Sequence, residues 1–267
     1  MKLSSPLKIY GGKYYLAKQL HAMWPKHDRL FDLFGGAGNM MIQRLCSQGV
    51  VNDLHPLRAA LFYRLSIPQL AARLMMTLSQ LDYTEATFWK HCNMLDSGTS
   101  NDAVVSFIVR SRMSRGGMGK EFGYSVRERN GTPGDVNAWN NMITSIPLLH
   151  ERFQNVCVRN FCAMKLLREI EFQDGDVVYL DPPYVKDTRV TPDAYGEEEM
   201  SEEQHLALLT LVAPFEVPTM ISGYSHPMYN SMLSKWNRYE IKTVAHSGQS
   251  LTKTPRTEIV WTNYRRF

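Results

Sequence analysis

A short glycine-rich segment limits the possible folds of this chain more than any other part of the sequence. It reads Asp32-x-Phe34-x-Gly36-x-Gly38, follows an apolar run and precedes a helical stretch. Glycines at the carboxyl end of a strand let the backbone turn sharply and come close to a ligand. A second apolar run, residues 49–53, predicts the next strand. The segment therefore predicts an open α/β sheet with a ligand crevice at the carboxyl ends of its strands.

Strand-like runs continue along the chain and alternate with helical stretches. The later predicted strands cover residues 156–160, 177–180, 217–221, 239–244 and 258–263. This alternation predicts a mixed, mostly parallel, Rossmann-like sheet with helices on both faces. Residues 56–153 interrupt it with helical stretches at 69–80, 84–95, 102–112 and 136–153. We interpret them as an inserted, mainly helical subdomain, whereas residues 1–55 and 154–267 form the sheet domain.

Asp53 lies 21 residues after Asp32, at the end of the second predicted strand. A carboxylate in that place can accept hydrogen bonds from both hydroxyls of a ribose ring. The spacing does not distinguish a dinucleotide from S-adenosylmethionine, so it indicates only a nucleoside ligand. The alternative is structural: a tight strand–helix turn and an aspartate that caps a helix.

The tetrapeptide Asp181-Pro182-Pro183-Tyr184 follows directly after an apolar run. Its two prolines remove two N–H donors and fix φ, so that carbonyl groups stay exposed in a rigid corner. An amino group on a planar base needs two hydrogen-bond acceptors before its nitrogen becomes nucleophilic. The Asp181 carboxylate and the Pro182 carbonyl can supply them, and the Tyr184 ring can stack on the base. The alternative is a proline-kinked strand end with a core tyrosine.

Taken in order, the motifs resemble those of the Dam-type, class alpha, DNA adenine-N6 methyltransferases of bacteria and phages. The matching segments are Ile9-Tyr10-Gly11-Gly12-Lys13, the glycine-rich segment, Asn52-Asp53, Asn160-Phe161, the Asp-Pro-Pro-Tyr tetrapeptide and Thr257-Glu258-Ile259-Val260-Trp261-Thr262-Asn263-Tyr264. They span nearly the whole chain. The resemblance implies the α/β fold of the S-adenosylmethionine-dependent methyltransferases, with residues 56–153 as the target-recognition region.

The resemblance also implies a cofactor, a substrate and a set of site residues. S-Adenosylmethionine would supply the methyl group, and N6 of an adenine flipped out of double-stranded DNA would accept it without a metal. Catalysis would involve Asp181, Pro182, Pro183 and Tyr184. The cofactor would contact Ile9, Tyr10, Gly11, Gly12, Lys13, Asp32, Phe34, Gly36, Gly38, Asp53, Asn160, Phe161 and Asp181.

The surplus positive charge of the chain lies in one loop. The formal net charge is +4, from 30 Lys and Arg against 26 Asp and Glu. Residues 110–129 hold six of the basic and two of the acidic residues, so the rest of the chain is neutral. We expect residues 110–130, the basic loop, to form a hairpin that enters a DNA groove. Its DNA contacts would be Arg112, Arg115, Lys120, Arg127 and Asn130; the alternative is a solvated charged loop.

Other methyl acceptors and a non-enzymatic role remain as alternatives. Cytosine-N4 methyltransferases more often carry Ser-Pro-Pro-Tyr, and RNA and glutamine methyltransferases carry Asn-Pro-Pro-Tyr, so Asp181 favours adenine in DNA. A catalytically silent DNA-binding module with the same fold is the rival from another class. The intact tetrapeptide argues against it.

The remaining features are typical of a cytoplasmic protein. No run approaches the ~18 consecutive apolar residues of a membrane helix, and the N-terminus lacks an apolar signal core. The four cysteines show no zinc or disulfide spacing, which indicates reduced thiols. We expect a monomer or weak dimer in a bacterial cell or a phage-infected host, with no membrane partner.

Overall fold

A computed structural model describes residues 3–9, 11–94, 98–125, 127–129, 131–189, 196–244 and 255–265 of the chain. Two predicted site residues, Tyr10 and Asn130, lie outside these ranges. The strands are β1 Arg29–Asp32, β2 Gln48–Asn52, β3 Glu128–Arg129, β4 Thr132–Pro133, β5 Val156–Arg159, β6 Asp176–Leu180, β7 Thr219–Gly223, β8 Asn237–Val244 and β9 Pro255–Thr262. The helices are α1 Ala17–His21, α2 Asn39–Gln43, α3 Pro56–Ser66, α4 Pro68–Ser79, α5 Glu85–Cys92, α6 Asn101–Arg112, α7 Gly134–Thr144, α8 Ile146–Phe153, α9 Ala163–Glu169, α10 Glu202–Val212 and α11 Pro227–Met232.

Seven of these strands form one sheet in the order β5-β2-β1-β6-β7-β9-β8. The first five in this order pair in parallel, whereas β9 runs antiparallel to both of its neighbours. The sheet therefore confirms the predicted mixed, mostly parallel, Rossmann-like fold. Strand order reverses between β1 and β6, and in open α/β sheets ligands bind at such a switch point, beyond the carboxyl ends of the strands.

The central strands are buried on both faces, because helices cover the sheet on each side. All five residues of β6 are buried. Leu30, Val177 and Tyr179 belong to the hydrophobic core on one face. Phe31 and Val178 belong to the core on the other face. Alternate residues of a strand point to opposite faces, so continuous apolar runs such as residues 177–180 are what a doubly covered sheet requires.

The helices between residues 56 and 153 pack on one face of the sheet. Their buried Phe62, Phe88 and Phe153 belong to the same core as Leu30 and Tyr179 of the central strands. Phe62 and Phe153 stack with their ring centroids 5.5 Å apart. The inserted region thus shares its core with the sheet, and its role in target recognition stays a prediction.

Two local predictions need correction. The helical stretch 136–153 is two helices, α7 and α8, because Pro147 lacks the N–H that would continue α7. The basic loop begins later than predicted, because Arg110 and Arg112 lie in the last turn of α6. In the structure its start contains a short 3₁₀ turn at Arg115–Gly117.

In the described ranges, no helix is both long enough and apolar enough to span a bilayer.

Gly38 provides a test of the tight strand–helix turn. It caps α2 with a φ of 73°, and an added Cβ would lie 2.8 Å from Cε1 of Phe62. Left-handed backbone strain and overpacking each destabilise a fold. We expect Gly38→Ala to lower the free energy of unfolding by about 2–4 kcal/mol in urea titrations.

Gly131→Ala is the matched control, because Gly131 has a φ of 72° but open space around it. It should cost only the backbone strain, about 1–2 kcal/mol. Equal losses for the two variants would contradict the close packing of the turn on Phe62.

Candidate active site

A cleft of about 650 Å³ opens at the carboxyl ends of the central strands. Its size is typical of small-molecule sites, which measure roughly 300–1,000 Å³. The predicted site residues that line it are Ile9, Gly11, Gly12, Lys13, Asp32, Phe34, Gly36, Asp53, Lys120, Phe161, Asp181 and Pro183. The fold thus brings together motif residues from six separate segments of the chain.

A buried ion network lies at one end of the cleft. The Lys13 Nζ is 2.8 Å from Oδ1 of Asp181, 3.2 Å from Oε1 of Glu258 and 2.6 Å from the Tyr184 hydroxyl. The Tyr184 hydroxyl also contacts Asp181 at 3.1 Å and donates a short hydrogen bond to Glu258. One ammonium group and one phenol therefore bridge two carboxyl groups, from β9 and from the end of β6, and the single positive charge balances only one of them. We name these four side chains the Lys13 network.

Burial sets the protonation behaviour of Asp181. It raises the pKa of the Asp181 carboxyl from 3.8 to about 6, against the opposing charge of Lys13, and the nearby Glu258 raises it further. The direction shows that loss of hydration outweighs the ion pair. Asp181 is consequently a stronger base than an exposed aspartate.

Asp32 is a second buried carboxyl group at this edge of the sheet. It is in register with Tyr179 on the neighbouring strand, and Asp181 follows two residues later. Burial first, then the charges of Asp181 and Asp53, raise the pKa of Asp32 well above its ordinary value. Its Oδ1 is buried without a hydrogen-bond partner in the described part of the chain. Such a group is stabilised by a cation or a donor brought in by a ligand.

Asp53 organises the turn as well as lining the cleft. Its Oδ2 accepts the N–H of Gly36 at 2.7 Å, and its Oδ1 accepts the N–H of His55 at 2.8 Å. Burial raises its pKa, and Arg58, 3.5 Å away, opposes that shift. Asp53 therefore braces the tight turn but does not cap a helix, because His55 is the N-cap residue of α3, and a contact with ribose hydroxyls stays a prediction.

Several predicted site residues lie outside the cleft lining. Gly38 packs on Phe62, as described above, and Asn160 donates to the backbone carbonyls of Asp53 and Leu54 at 2.7 and 3.0 Å. Pro182 is buried, and the buried Tyr184 ring meets Tyr224 edge-on at 4.8 Å. Stacking of Tyr184 on a base stays a prediction.

The predicted DNA-contacting residues divide into two groups. Arg115, Lys120 and Arg127 are exposed, and Lys120 also lines the cleft. Arg112 is half-buried; burial lowers its pKa, whereas Tyr83 and Asp135 raise it. The exposed group is available to a duplex, and Arg112 faces the interior of the inserted region.

The backbone of the basic loop is held in place by hydrogen bonds between Met113 and Gly123. The N–H of Arg115 donates to the Glu121 carbonyl at 2.9 Å, and the N–H of Gly123 donates to the Met113 carbonyl at 2.8 Å. The Tyr83 hydroxyl donates to the Gly123 carbonyl at 2.7 Å. These bonds give the loop a defined shape, which the alternative of a loosely solvated charged loop does not require.

Four charged residues of the site were missed by the sequence analysis as site residues: Arg58, Arg110, Glu198 and Glu258. The sequence pattern could have indicated that Glu258 is buried. Glu258 shares a strand face with Thr262 and the apolar Val260, where a solvated charge does not fit. Arg58 and Glu198 form a 2.7 Å ion pair across 140 residues, and no local pattern reveals such a pair.

S-Adenosylmethionine fits the carboxyl groups that face this cleft. The cofactor carries a sulfonium, an ammonium group and two ribose hydroxyls. Three carboxyl groups with raised pKa values, those of Asp32, Asp53 and Asp181, face the same cleft and would be stabilised by such groups. Among the described residues, there is no group of three or more His, Cys, Asp or Glu that could hold a metal ion.

The sequence model of the D12 class N6 adenine-specific DNA methyltransferase family matches residues 10–247 of this chain. The chain belongs to this family. Membership in the D12 class confirms the resemblance to adenine-N6 DNA methyltransferases and makes the chain a member of an enzyme family that modifies DNA.

The matching curated relatives are distant in sequence. The chain is 23% identical to the modification methylase LlaI of Lactococcus lactis subsp. lactis over 98% of its own length but only 44% of LlaI. It is 31% identical to the type II methyltransferase M1.LlaDCHI of Lactococcus lactis subsp. cremoris over 35% of each protein. The chain therefore spans less than half the length of these curated relatives.

Among solved structures, an rRNA methyltransferase, aviRa from Streptomyces viridochromogenes, is similar over 97% of this chain and 86% of its own. The sequence identity is 13% and the TM-score is 0.43.

The raised pKa of Asp181 predicts a stability change with a definite sign. Because the folded-state pKa of about 6 exceeds the ordinary 3.8, the fold loses stability as pH rises through this window. Asn imitates the protonated carboxyl, so Asp181→Asn should raise the free energy of unfolding by about 1–3 kcal/mol at pH 7.5. The gain should vanish at pH 4 in chemical denaturation.

Asp176→Asn is the matched control on the same strand. Arg29 donates to both oxygens of Asp176, at 2.8 and 2.7 Å, so this variant should destabilise the fold at pH 7.5. A loss of stability at pH 7.5 in Asp181→Asn would contradict the dominance of burial over the ion pair at Asp181.

Proposed function

We propose that this chain transfers a methyl group from S-adenosylmethionine to N6 of a flipped-out adenine in duplex DNA. One observation carries the proposal: the Asp-Pro-Pro-Tyr corner opens onto the same cleft as the glycine-rich turn and Asp53. A nucleoside cofactor and a planar base could therefore meet at Asp181. Membership in the D12 family supports adenine and DNA over the cytosine-N4 and RNA alternatives.

When bound, S-adenosylmethionine supplies an electrophilic methyl group on its sulfonium. Asp181 and the Pro182 carbonyl accept the two N–H groups of the adenine amino group and hold its nitrogen in line for attack. The nitrogen held in this way would take the methyl group that the cofactor supplies, with the N6–methyl bond forming as the sulfur–methyl bond breaks. Asp181, whose pKa burial raises to about 6, would then accept the proton that N6 loses.

The Lys13 network explains how Asp181 becomes available. In the structure Lys13 and Tyr184 both contact Oδ1 of Asp181. Both also contact Glu258, so Glu258 retains them when the adenine amino group takes their place. The Tyr184 ring, released from Asp181, can then stack on the base.

The exposed basic residues suit the phosphate backbone. Arg115 and Lys120 lie on the loop that borders the cleft, so a duplex held there would present a flipped base to Asp181. Phosphate contacts position a duplex on the protein, whereas sequence readout needs base-edge contacts.

Asp181 should be essential for methyl transfer but not for cofactor binding. We expect Asp181→Asn to lower the single-turnover rate of labelled methyl transfer to duplex DNA by at least about 100-fold, because Asn cannot accept the amino proton. Asp187→Asn, an exposed carboxyl close by, should keep the wild-type rate. Near wild-type turnover in Asp181→Asn would overturn the mechanism.

Arg115 and Lys120 should act through charge. Their double replacement by Gln should weaken duplex binding and reduce the slope of log K against log salt by about 2, because each phosphate contact contributes about 0.9. Arg238→Gln, an exposed change on the edge strand β8, should leave the slope unaltered. An unchanged slope in the double variant would rule out the loop as the DNA contact.

A further inference from the structure

Arg110 lines the cleft without an anionic partner. It lies in the last turn of α6, on the wall that the inserted region contributes. Its side chain is half-buried, and its Nε is fully buried with no hydrogen bond to any described residue. Buried charges in proteins are normally paired, because an unpaired one loses hydration without compensation. A half-buried guanidinium facing a ligand cleft therefore points to an anion on the ligand.

The other cations of the cleft are accounted for. Lys13 contacts Asp181 and Glu258. Arg58 contacts Asp53 and Glu198. Lys120 is exposed and needs no buried partner. Among the described residues that line the cleft, Arg110 is thus the half-buried cation that no carboxylate contacts.

The acids near Arg110 already contact another cation. Arg58 lies 2.7 Å from Glu198 and 3.5 Å from Asp53. Burial and then Arg58 lower the pKa of His55, Glu198 and Asp53 raise it, and Arg110 contributes to lowering it. An oxyanion in the cleft would therefore meet an available positive charge at Arg110, whereas the strand-end corner holds Asp32 and Asp181.

The end of α6 is hydrogen-bonded to the N-terminal segment that lines the cleft. The hydroxyl of Ser111, the next residue, accepts the N–H of Lys8 and donates to the Lys8 carbonyl, both at 2.8 Å. Ile9 and Gly11, which follow Lys8, line the same cleft. Arg110 is therefore held by its backbone at a set position in the ligand site.

We propose that Arg110 binds the carboxylate of the amino-acid portion of the cofactor. The inference rests on the proposed function, since it requires S-adenosylmethionine in the cleft. That cofactor carries one anionic group, its α-carboxylate, and a guanidinium can bind a carboxylate through two parallel hydrogen bonds. The carboxyl groups on the strand side would repel it, so the carboxylate belongs on the α6 side.

A DNA phosphate has the same oxyanion chemistry but fits this position less well. Phosphates pass over the protein surface, where Arg115 and Lys120 are exposed, whereas the Arg110 Nε is buried in the cleft wall. The experiment separates the two sources of oxyanion.

The test compares S-adenosylmethionine with its decarboxylated form by calorimetry, in the wild-type chain and in Arg110→Gln. The variant should bind S-adenosylmethionine about 10- to 100-fold more weakly, the loss expected for a charge-assisted pair. It should bind the decarboxylated compound within about twofold of wild type, because that ligand never used the guanidinium. Arg110→Lys should recover part of the affinity, since it keeps the charge but not the planar pair.

Lys90→Gln, an exposed change of equal charge in α5, should leave both affinities at their wild-type values. An equal loss for both ligands in Arg110→Gln would overturn the proposal in favour of a structural role. Unchanged S-adenosylmethionine affinity with weaker duplex binding would overturn it in favour of a phosphate contact. A wild-type chain that binds neither compound would overturn the proposed function, and this inference with it.

Discussion

The buried ammonium group of Lys13 joins three parts of the chain that are far apart in sequence. It contacts the carboxylates of Asp181 and Glu258 and the hydroxyl of Tyr184, so it ties the N-terminal segment to the end of β6 and to β9. Removing the ammonium group would leave two buried carboxyl groups without a cation, which is far more costly than losing an exposed pair. The geometry of the tetrapeptide therefore depends on residues about 170 positions before it and about 75 after it.

The same interaction leaves the cleft with an excess of carboxyl groups. Lys13 serves two acids at once, and Asp32 has a buried oxygen with no partner in the described part of the chain. The raised pKa values of Asp32 and Asp181 reflect the cost of burying these carboxyl groups close together. A cationic ligand would relieve that cost on binding. Carboxyl groups that suit a cationic ligand thus lower the stability of the fold. Such a trade between stability and function is common in active sites.

The fold and the positions of its main motifs could be predicted from sequence because they rest on local rules. Apolar runs that end in glycines or prolines mark the carboxyl ends of β1 and β6, and parallel pairing of these two strands brings Asp32 and Asp181 together. The C-terminal run could be recognised as a strand, but not its position between β7 and β8, because strand order depends on contacts across the whole sheet.

The tertiary contacts of the site residues are less predictable from the sequence than the fold. Glu258 and Arg110 reach the site through tertiary packing, since Glu258 contacts Lys13 and Arg110 lines the cleft from the last turn of α6. Tyr184 carries both an aromatic face and a hydroxyl, and the sequence does not say which of them makes the main contacts in the site. In the structure the hydroxyl is used, since burial next to Lys13 and Glu258 favours a hydrogen bond.

The identity of the methylated nucleoside tests the central claim most directly. Duplex DNA from a methylation-free host and, separately, RNA from the same host would be incubated with the chain and S-adenosylmethionine carrying a deuterated methyl group, then digested to nucleosides and analysed by mass spectrometry. The account predicts the label in N6-methyldeoxyadenosine and its absence when Asp181 is replaced by Asn. Label in N4-methyldeoxycytidine, or label in RNA but not in DNA, would contradict it.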